Sequence, residues 1–399
     1  MKSSARSLVG QDSFGRTRLV LKFSALAGLA GSLMACSGTT QPGKQTGANT
    51  CDPNGEIPCI AGLAEPCKDY DTQFDGDEFC LAPPDPELGT QLHVGPDDYD
   101  DPAQTDQYMI APGDETNWAE VKTSTNMELR FTRGYRSHMR PGSHHFILFG
   151  LSQPPATSGP MQSMGAASTV GALDGTFLGG ATRQIQNIDT KGQYPEDQGI
   201  GSEMTPQRPV AVNLHWINIG DKPLLQEIWI NFIYIPEEEV TQYVKPITWY
   251  GGYGMSIPPG DHQLLRNDGF ACTAPDNVRL AMMTGHVHAN TTRITTSMND
   301  ATNKTLLFED YDWHEPTEWR FDRSHEWPAP DAASNTSGGY NGVLNVTPSD
   351  TFHWECDVVN KSNVTLRFSN RVYDGEMCNV FGFYFTTNRA ATPWTCVFL

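Results

Sequence analysis

The chain has 399 residues, of which 38% are hydrophobic and 10% aromatic, enough for two ordinary domains with packed cores. Its 47 acidic and 27 basic side chains leave a formal net charge of -20 and a pI near 4.8. So acidic a surface excludes nucleic acid as a partner, because phosphate binding needs cationic neutralisation, and fits a soluble exported protein.

Residues 1–35 read as a leader rather than as part of the fold. Lys2, Arg6, Arg16, Arg18 and Lys22 make its start basic, and residues 23–35 form an apolar run too short to span a bilayer. Leu33-Met34-Ala35-Cys36 resembles a bacterial lipobox, which implies cleavage before Cys36 and a lipid on its thiol. The simpler alternative is a secretory leader with an incidental cysteine. Ser37 resembles a residue that permits sorting to the outer membrane, so a lipid-anchored place in the bacterial cell envelope is expected. No second long apolar run follows, so membrane contact is expected only through the N-terminal lipid.

Residues 36–86 form a tether and a cysteine-containing segment. Residues 37–50 are polar and of low complexity. Cys51, Cys59, Cys67 and Cys80 allow three pairings, and the segment they staple can stand apart from the body. Cys272, Cys356, Cys378 and Cys396 complete an even set, so disulfides are expected in an exported chain. Neither group contains CxxC, which argues against a zinc ribbon or a thioredoxin-like site.

From about residue 88 the hydrophobic period is two. Met127, Leu129 and Phe131 alternate with polar neighbours, as do Val210, Val212, Leu214 and Trp216. Ile228, Ile230, Phe232 and Tyr234 repeat the pattern, and Leu366 and Phe368 suggest it again. No long helical period appears. The chain is therefore expected to be all-β, with two β-sandwich domains at 87–238 and 239–399 and a boundary marked by Glu237-Glu238-Glu239. Residues 152–208 predict a long loop with at most short strands. The acidic run Asp97-Asp98-Tyr99-Asp100-Asp101 lacks the spacing of a calcium loop and reads as a solvated turn.

Histidines carry the chemistry. In His286-Val287-His288, residues i and i+2 of a strand project to one face, so both imidazoles can reach one ion. His144-His145 poses a difficulty, since adjacent strand residues point to opposite faces. Both can ligate one ion only at a bulge, a twist or a strand end, and Pro141-Gly142 offers irregular backbone there. His215 sits within the run Val210–Trp216, where a lone histidine is more often structural. Met377 in isolation would read as a core residue. His93, His138, His262, His314, His325 and His353 read as structural or surface, with His138 the nearest in sequence to the adjacent pair.

Taken together, these pieces resemble the copper type II, ascorbate-dependent monooxygenases, the family of peptidylglycine alpha-hydroxylating and dopamine beta-monooxygenases. The matching segments are His144-His145-Phe-Ile-Leu-Phe-Gly, Asn213-Leu214-His215, Ile257-Pro-Pro-Gly260, Gly285-His286-Val287-His288 and Glu376-Met377-Cys378-Asn379, in the family's order. Asp310-Tyr-Asp-Trp313 further resembles a strand that follows the HxH motif there. The resemblance covers about residues 88–399 and implies two jelly-roll-like sandwiches packed side by side, each with one copper. It implies His144, His145 and His215 for an electron-transfer copper, and catalytic His286, His288 and Met377 for an oxygen-binding one. A thioether favours the reduced ion, and an all-imidazole set accepts both oxidation states. Disulfides Cys356–Cys378 and Cys272–Cys396 are implied as well.

The expected activity is hydroxylation of a C–H bond of a small organic substrate with O2. Ascorbate or another small reductant supplies the electrons. Where the peptide-hydroxylating branch holds a substrate carboxylate with Arg and Tyr, this chain has Thr284 and Phe381, while Asn379 is kept as a candidate substrate contact. The missing cation removes a charge-assisted bond, so a neutral, amine-bearing or apolar-aromatic substrate is expected. The alternative is a non-catalytic copper-binding surface lipoprotein. A hydrolytic zinc enzyme fits poorly, since methionine is an odd zinc ligand.

Overall fold

A computed structural model of the chain describes residues 66–68, 70–153, 175–194, 199–268, 270–298, 304–323, 326–329, 337–369 and 371–398. The leader, Cys36, Cys51 and Cys59 lie outside the described residues.

The described residues are nearly all β. Alternation builds these strands because every second side chain must leave water. Thr351–Val359 shows it most plainly, with strictly alternating buried and half-buried residues. In Pro209–Ile217, the side chains of Val210, Val212, Leu214 and Trp216 all enter one core. That core lies between a four-stranded sheet and one end of an eleven-stranded sheet. The four-stranded sheet runs in the order Glu115–Thr123, Pro209–Ile217, Ser143–Gly150, Thr176–Ala181. The large sheet contributes Gly89–Val94, Ile228–Ile235 and Arg130–Met139 to the same core.

A second core lies at the other end of the large sheet, on Gln242–Tyr250, Cys378–Thr386 and Val278–Val287. A six-stranded sheet containing Thr291–Met298 and Thr351–Val359 covers it. The exposed turn Glu237–Glu239 lies in the chain between the two cores. The halves are joined by parallel pairing of Ile200 with Gln242 and Gly201 with Tyr243. An apolar seam reinforces the joint, where Ile147, Phe149 and Phe177 meet Tyr250 and Phe381. Among the described residues, 175–204 add short strands and the one-turn helix Thr190–Gln193.

Three features differ from the sequence reading. Met127 is 76% exposed, and its strand begins at Arg130. Leu366 and Phe368 make only isolated bridges, to Ile257 and Glu376. The strand Thr305–Asp310 ends where the segment Asp310–Trp313 begins, because the Asp310 carboxylate accepts from the backbone of Asp312 and Thr317 and closes a turn.

The described part of the stapled segment, from residue 66 on, packs against the body. Cys67 is bonded to Cys80, and Phe79 and Leu81 pack on Trp229. This explains why Ile228–Ile233 is buried on both faces. The fully buried Arg140 joins Asp77 at 2.8 Å, the Asp75 carbonyl at 3.0 Å and Glu227 at 2.6 Å. A buried cation is tolerable only when so fully partnered.

Candidate metal centre

The adjacent histidines share a face because the strand is bulged at His144. Ser143 pairs with Trp216 and His145 pairs with His215, so His144 is the extra residue. Gly142 enters the bulge at φ 86, and a Cβ there would lie 2.5 Å from Leu224 Cδ1. The ring centres of His144, His145 and His215 stand 4.9 to 5.1 Å apart, and one ligand atom from each lies within 4.8 Å of the others. Imidazoles sharing one ion at M–N distances of about 2.0 Å put their ring centres about 5 Å apart. These three residues could therefore hold a metal ion.

The protonation of the set agrees. His215 Nε2 donates to Glu115 Oε1 at 2.9 Å, which leaves Nδ1 as the lone-pair nitrogen. The Nδ1 atoms of His144, His145 and His215 are all buried without a hydrogen-bond partner. Unpartnered buried nitrogens are costly, and a bound ion would use all three. Burial, then the neighbouring rings, pushes His144 and His145 well below the usual imidazole range, so both are neutral and able to ligate.

The second set lies at the seam between Val278–Val287 and Cys378–Thr386. His286 pairs with Asn379 and Val287 with Cys378, the residue after Met377. The rings of His286 and His288 are 5.8 Å apart. His288 buries both ring nitrogens, near the backbone of Arg371 and Gly375 but without a hydrogen bond of good geometry to either. Burial, then His215, lowers His286 to about 4.

Met377 is held from two sides. Asn379 Nδ2 donates to its sulfur at 3.5 Å, while Asn379 Oδ1 accepts from the Gly251 amide at 3.2 Å. The candidate substrate contact thus has both ends of its amide engaged with the protein. The buried Glu376 carboxylate accepts from the amides of His288 at 2.5 Å, Met377 at 2.9 Å and Asn290 at 3.2 Å, tying the HxH end to the methionine loop. Burial raises Glu376 to about 7 against the pull of those amides. The Cys356–Cys378 disulfide anchors the next residue, and Cys272–Cys396 fastens the C-terminal strand.

The two sets adjoin. His145 and His286 stand 4.9 Å apart, ring centre to ring centre, across the boundary between the halves. A cavity beside them is lined by both rings and by Thr284, Phe177, Phe381 and Phe383. Phe177 stacks on Phe381 at 5.1 Å and on Phe383 at 5.3 Å. Thr284 and Phe381, the two departures from the peptide-hydroxylating pattern, therefore face this cavity together.

Two nearby residues escape sequence reasoning. Glu115 lies in a strand with no motif, and only the pairing of its strand with His215 brings it into place. Its Oε1 also accepts from the Val372 amide at 2.9 Å, so one oxygen joins a histidine of the first half to the backbone of the second. His314, read as structural or surface, is exposed, yet its ring lies 5.5 Å from that of His144, and Trp313 packs there at 5.6 Å. Their place beside Asp310-Tyr-Asp was the available signal. His138, by contrast, is structural: Nδ1 donates to the Phe79 carbonyl at 2.8 Å, and Nε2 accepts from Arg136 at 3.2 Å.

No family model matches the chain, and no curated protein matches it by sequence.

Proposed function

We propose that the chain is a copper-dependent monooxygenase that hydroxylates a C–H bond of a small organic substrate. The observation that carries this reading is that the buried set of His144, His145 and His215 meets His286, of the HxH pair, at a boundary beside a cavity. Copper, when bound, supplies one-electron chemistry, so that a substrate C–H, O2, two electrons and two protons become C–OH and water. The electrons come from ascorbate or another small reductant.

The chain's own residues set the conditions. His144, His145 and His215 offer buried Nδ1 atoms without a hydrogen-bond partner, an all-imidazole set that suits either oxidation state, and Glu115 orients the ring of His215. His286 and His288 with the Met377 thioether favour the reduced ion. Asn379, Glu376 and the Cys356–Cys378 bond hold that flexible thioether in position. The phenylalanine stack keeps the adjoining cavity apolar. The same reading puts the protein in the bacterial envelope, tethered by a lipid on Cys36. No helix among the described residues is long and apolar enough to cross a membrane.

The test is to load the protein with copper, remove the excess, count ions per chain, and follow oxygen uptake with ascorbate and a substrate panel. Two ions per chain with substrate-stimulated uptake are expected. One ion or none overturns the two-site scheme. Two ions with uptake at the substrate-free background would make the chain a non-catalytic copper-binding surface lipoprotein.

A further inference from the structure

Next to the imidazole cavity lies a larger one between the halves, and the two share Met282, Glu318 and Phe383 on their walls. Most of the larger wall is apolar, with Val210, Phe232, Ala281 and Phe385 among its residues. The charged side chains on it are Arg133, Glu203, Arg208, Glu318 and Arg320. Arg133 pairs with Asp189 at 3.3 Å, Glu203 with Arg389 at 2.7 Å, and Arg320 with Asp322 at 3.7 Å. Glu318 accepts from Gln186 at 2.7 Å.

Arg208 is different. Among the described residues its guanidinium makes neither an ion pair nor a side-chain hydrogen bond, although it is half-buried. Burial pulls its pKa down, with the Glu203 charge opposing. The guanidinium lies over Gly150, where a Cβ would come within 2.3 Å of Cζ, so the backbone leaves room for it. Glu203 offsets that charge only from a distance, and a half-buried guanidinium with no direct ion pair or hydrogen bond is costly unless something arrives to meet it.

We propose that this cavity binds an amphiphile with a single carboxylate, such as a fatty or arylalkanoic acid. Its headgroup is held by Arg208, and its apolar body runs past Met282 and Phe383 toward His286. The guanidinium fork matches a carboxylate two bonds at a time. A more highly charged headgroup is disfavoured, because Glu203 and Glu318 share the wall. That the apolar end meets the reacting centre rests on the monooxygenase reading, and it replaces the neutral or amine-bearing substrate expected from Thr284 with a carboxylate held at Arg208 instead; the binding itself does not rest on that reading.

Binding is therefore measured first on the metal-free protein, by calorimetric titration with decanoate, decan-1-ol and decylammonium. Decanoate is expected to bind at least tenfold more tightly than the alcohol, and the ammonium more weakly than both. Arg208→Gln should erase the preference for decanoate over the alcohol, while Arg208→Lys should keep most of it, with both variants melting close to the parent. Equal affinity for acid and alcohol in the parent, no binding of decanoate, or an unchanged preference in Arg208→Gln would each overturn the proposal. If decanoate binds as expected but fails to stimulate oxygen uptake by the copper-loaded protein, the site stands and its link to the reaction falls.

Discussion

Replacing Glu115 by Ala should separate the two ligand sets. One oxygen of Glu115 accepts from His215 Nε2 and from the Val372 amide, each at 2.9 Å, and its side chain is only 18% exposed. Hydrogen bonds to a charged group contribute about 1.5–3 kcal/mol each, and the buried Val372 amide would lose its acceptor. Because the two bonds share one atom, a total of about 2–3 kcal/mol is reasonable. With roughly 2 cal/mol/K of unfolding entropy per residue over about 300 residues, the melting temperature should fall by roughly 4 °C. Loss of a ligand's outer partner typically weakens a metal site by about 10–100-fold. Copper competition against a chelator should therefore show a weaker His144/His145/His215 set and an unchanged His286/His288/Met377 set. Glu115→Gln keeps an oxygen acceptor and should lie between the two. Unchanged melting together with unchanged affinities would refute the role given to Glu115, and equal weakening of both sets would show general loosening instead.

Three further outcomes are expected. His138 has its pKa lowered to about 3 by burial, then by Arg136, so the unfolded chain takes up a proton from about pH 6.5 downward while the native chain does not. Its stabilisation is complete above that range and fades as pH falls toward 3, by at most about 1.4 kcal/mol per pH unit; His138→Gln should flatten that part of the denaturation-midpoint profile, and a parallel profile would contradict the assignment. Gly142→Ala forces a side chain into φ 86 against Leu224, which should cost about 1–3 kcal/mol and lower first-set copper affinity ahead of the second; equal affinity to the parent would show that the bulge tolerates the change. Met377→Ile removes the thioether at similar volume, so turnover should vanish while first-set copper stays bound, and retained turnover would remove Met377 from the ligands.

The sequence was most legible where one residue pattern has one physical solution. Period-two alternation in Pro209–Ile217 and Ile228–Ile235 predicted strands, and strands are found. It misled at Met127 and at Leu366-Phe368, because two or three alternating residues occur by chance in loops. The two C-terminal disulfides have the pairing the resemblance implied. The sequence also posed the His144-His145 problem correctly, but only the register could show that a bulge solves it. Glu115 and Arg208 were illegible for a common reason. Neither has a local pattern, and each acquires meaning from a partner, or the want of one, far away in the chain.

The closeness of the two sets follows from contacts that belong to neither. His145 comes from a strand of the first half and His286 from a strand of the second, and among the described residues no disulfide crosses between the halves to fix the 4.9 Å between their rings. The Ile200–Gln242 pairing, the stack of Phe177 on Phe381 and Phe383, and the Glu115–Val372 bond hold it. Of these, the pairing continues the sheet backbone and is the hardest to break. The stack is a side-chain contact that a ligand in the adjoining cavity would touch, since its three rings line that cavity. A ligand lying past Met282 and Phe383 would therefore press on the contacts that set the separation, so occupancy of the cavity and spacing of the two sets must be linked.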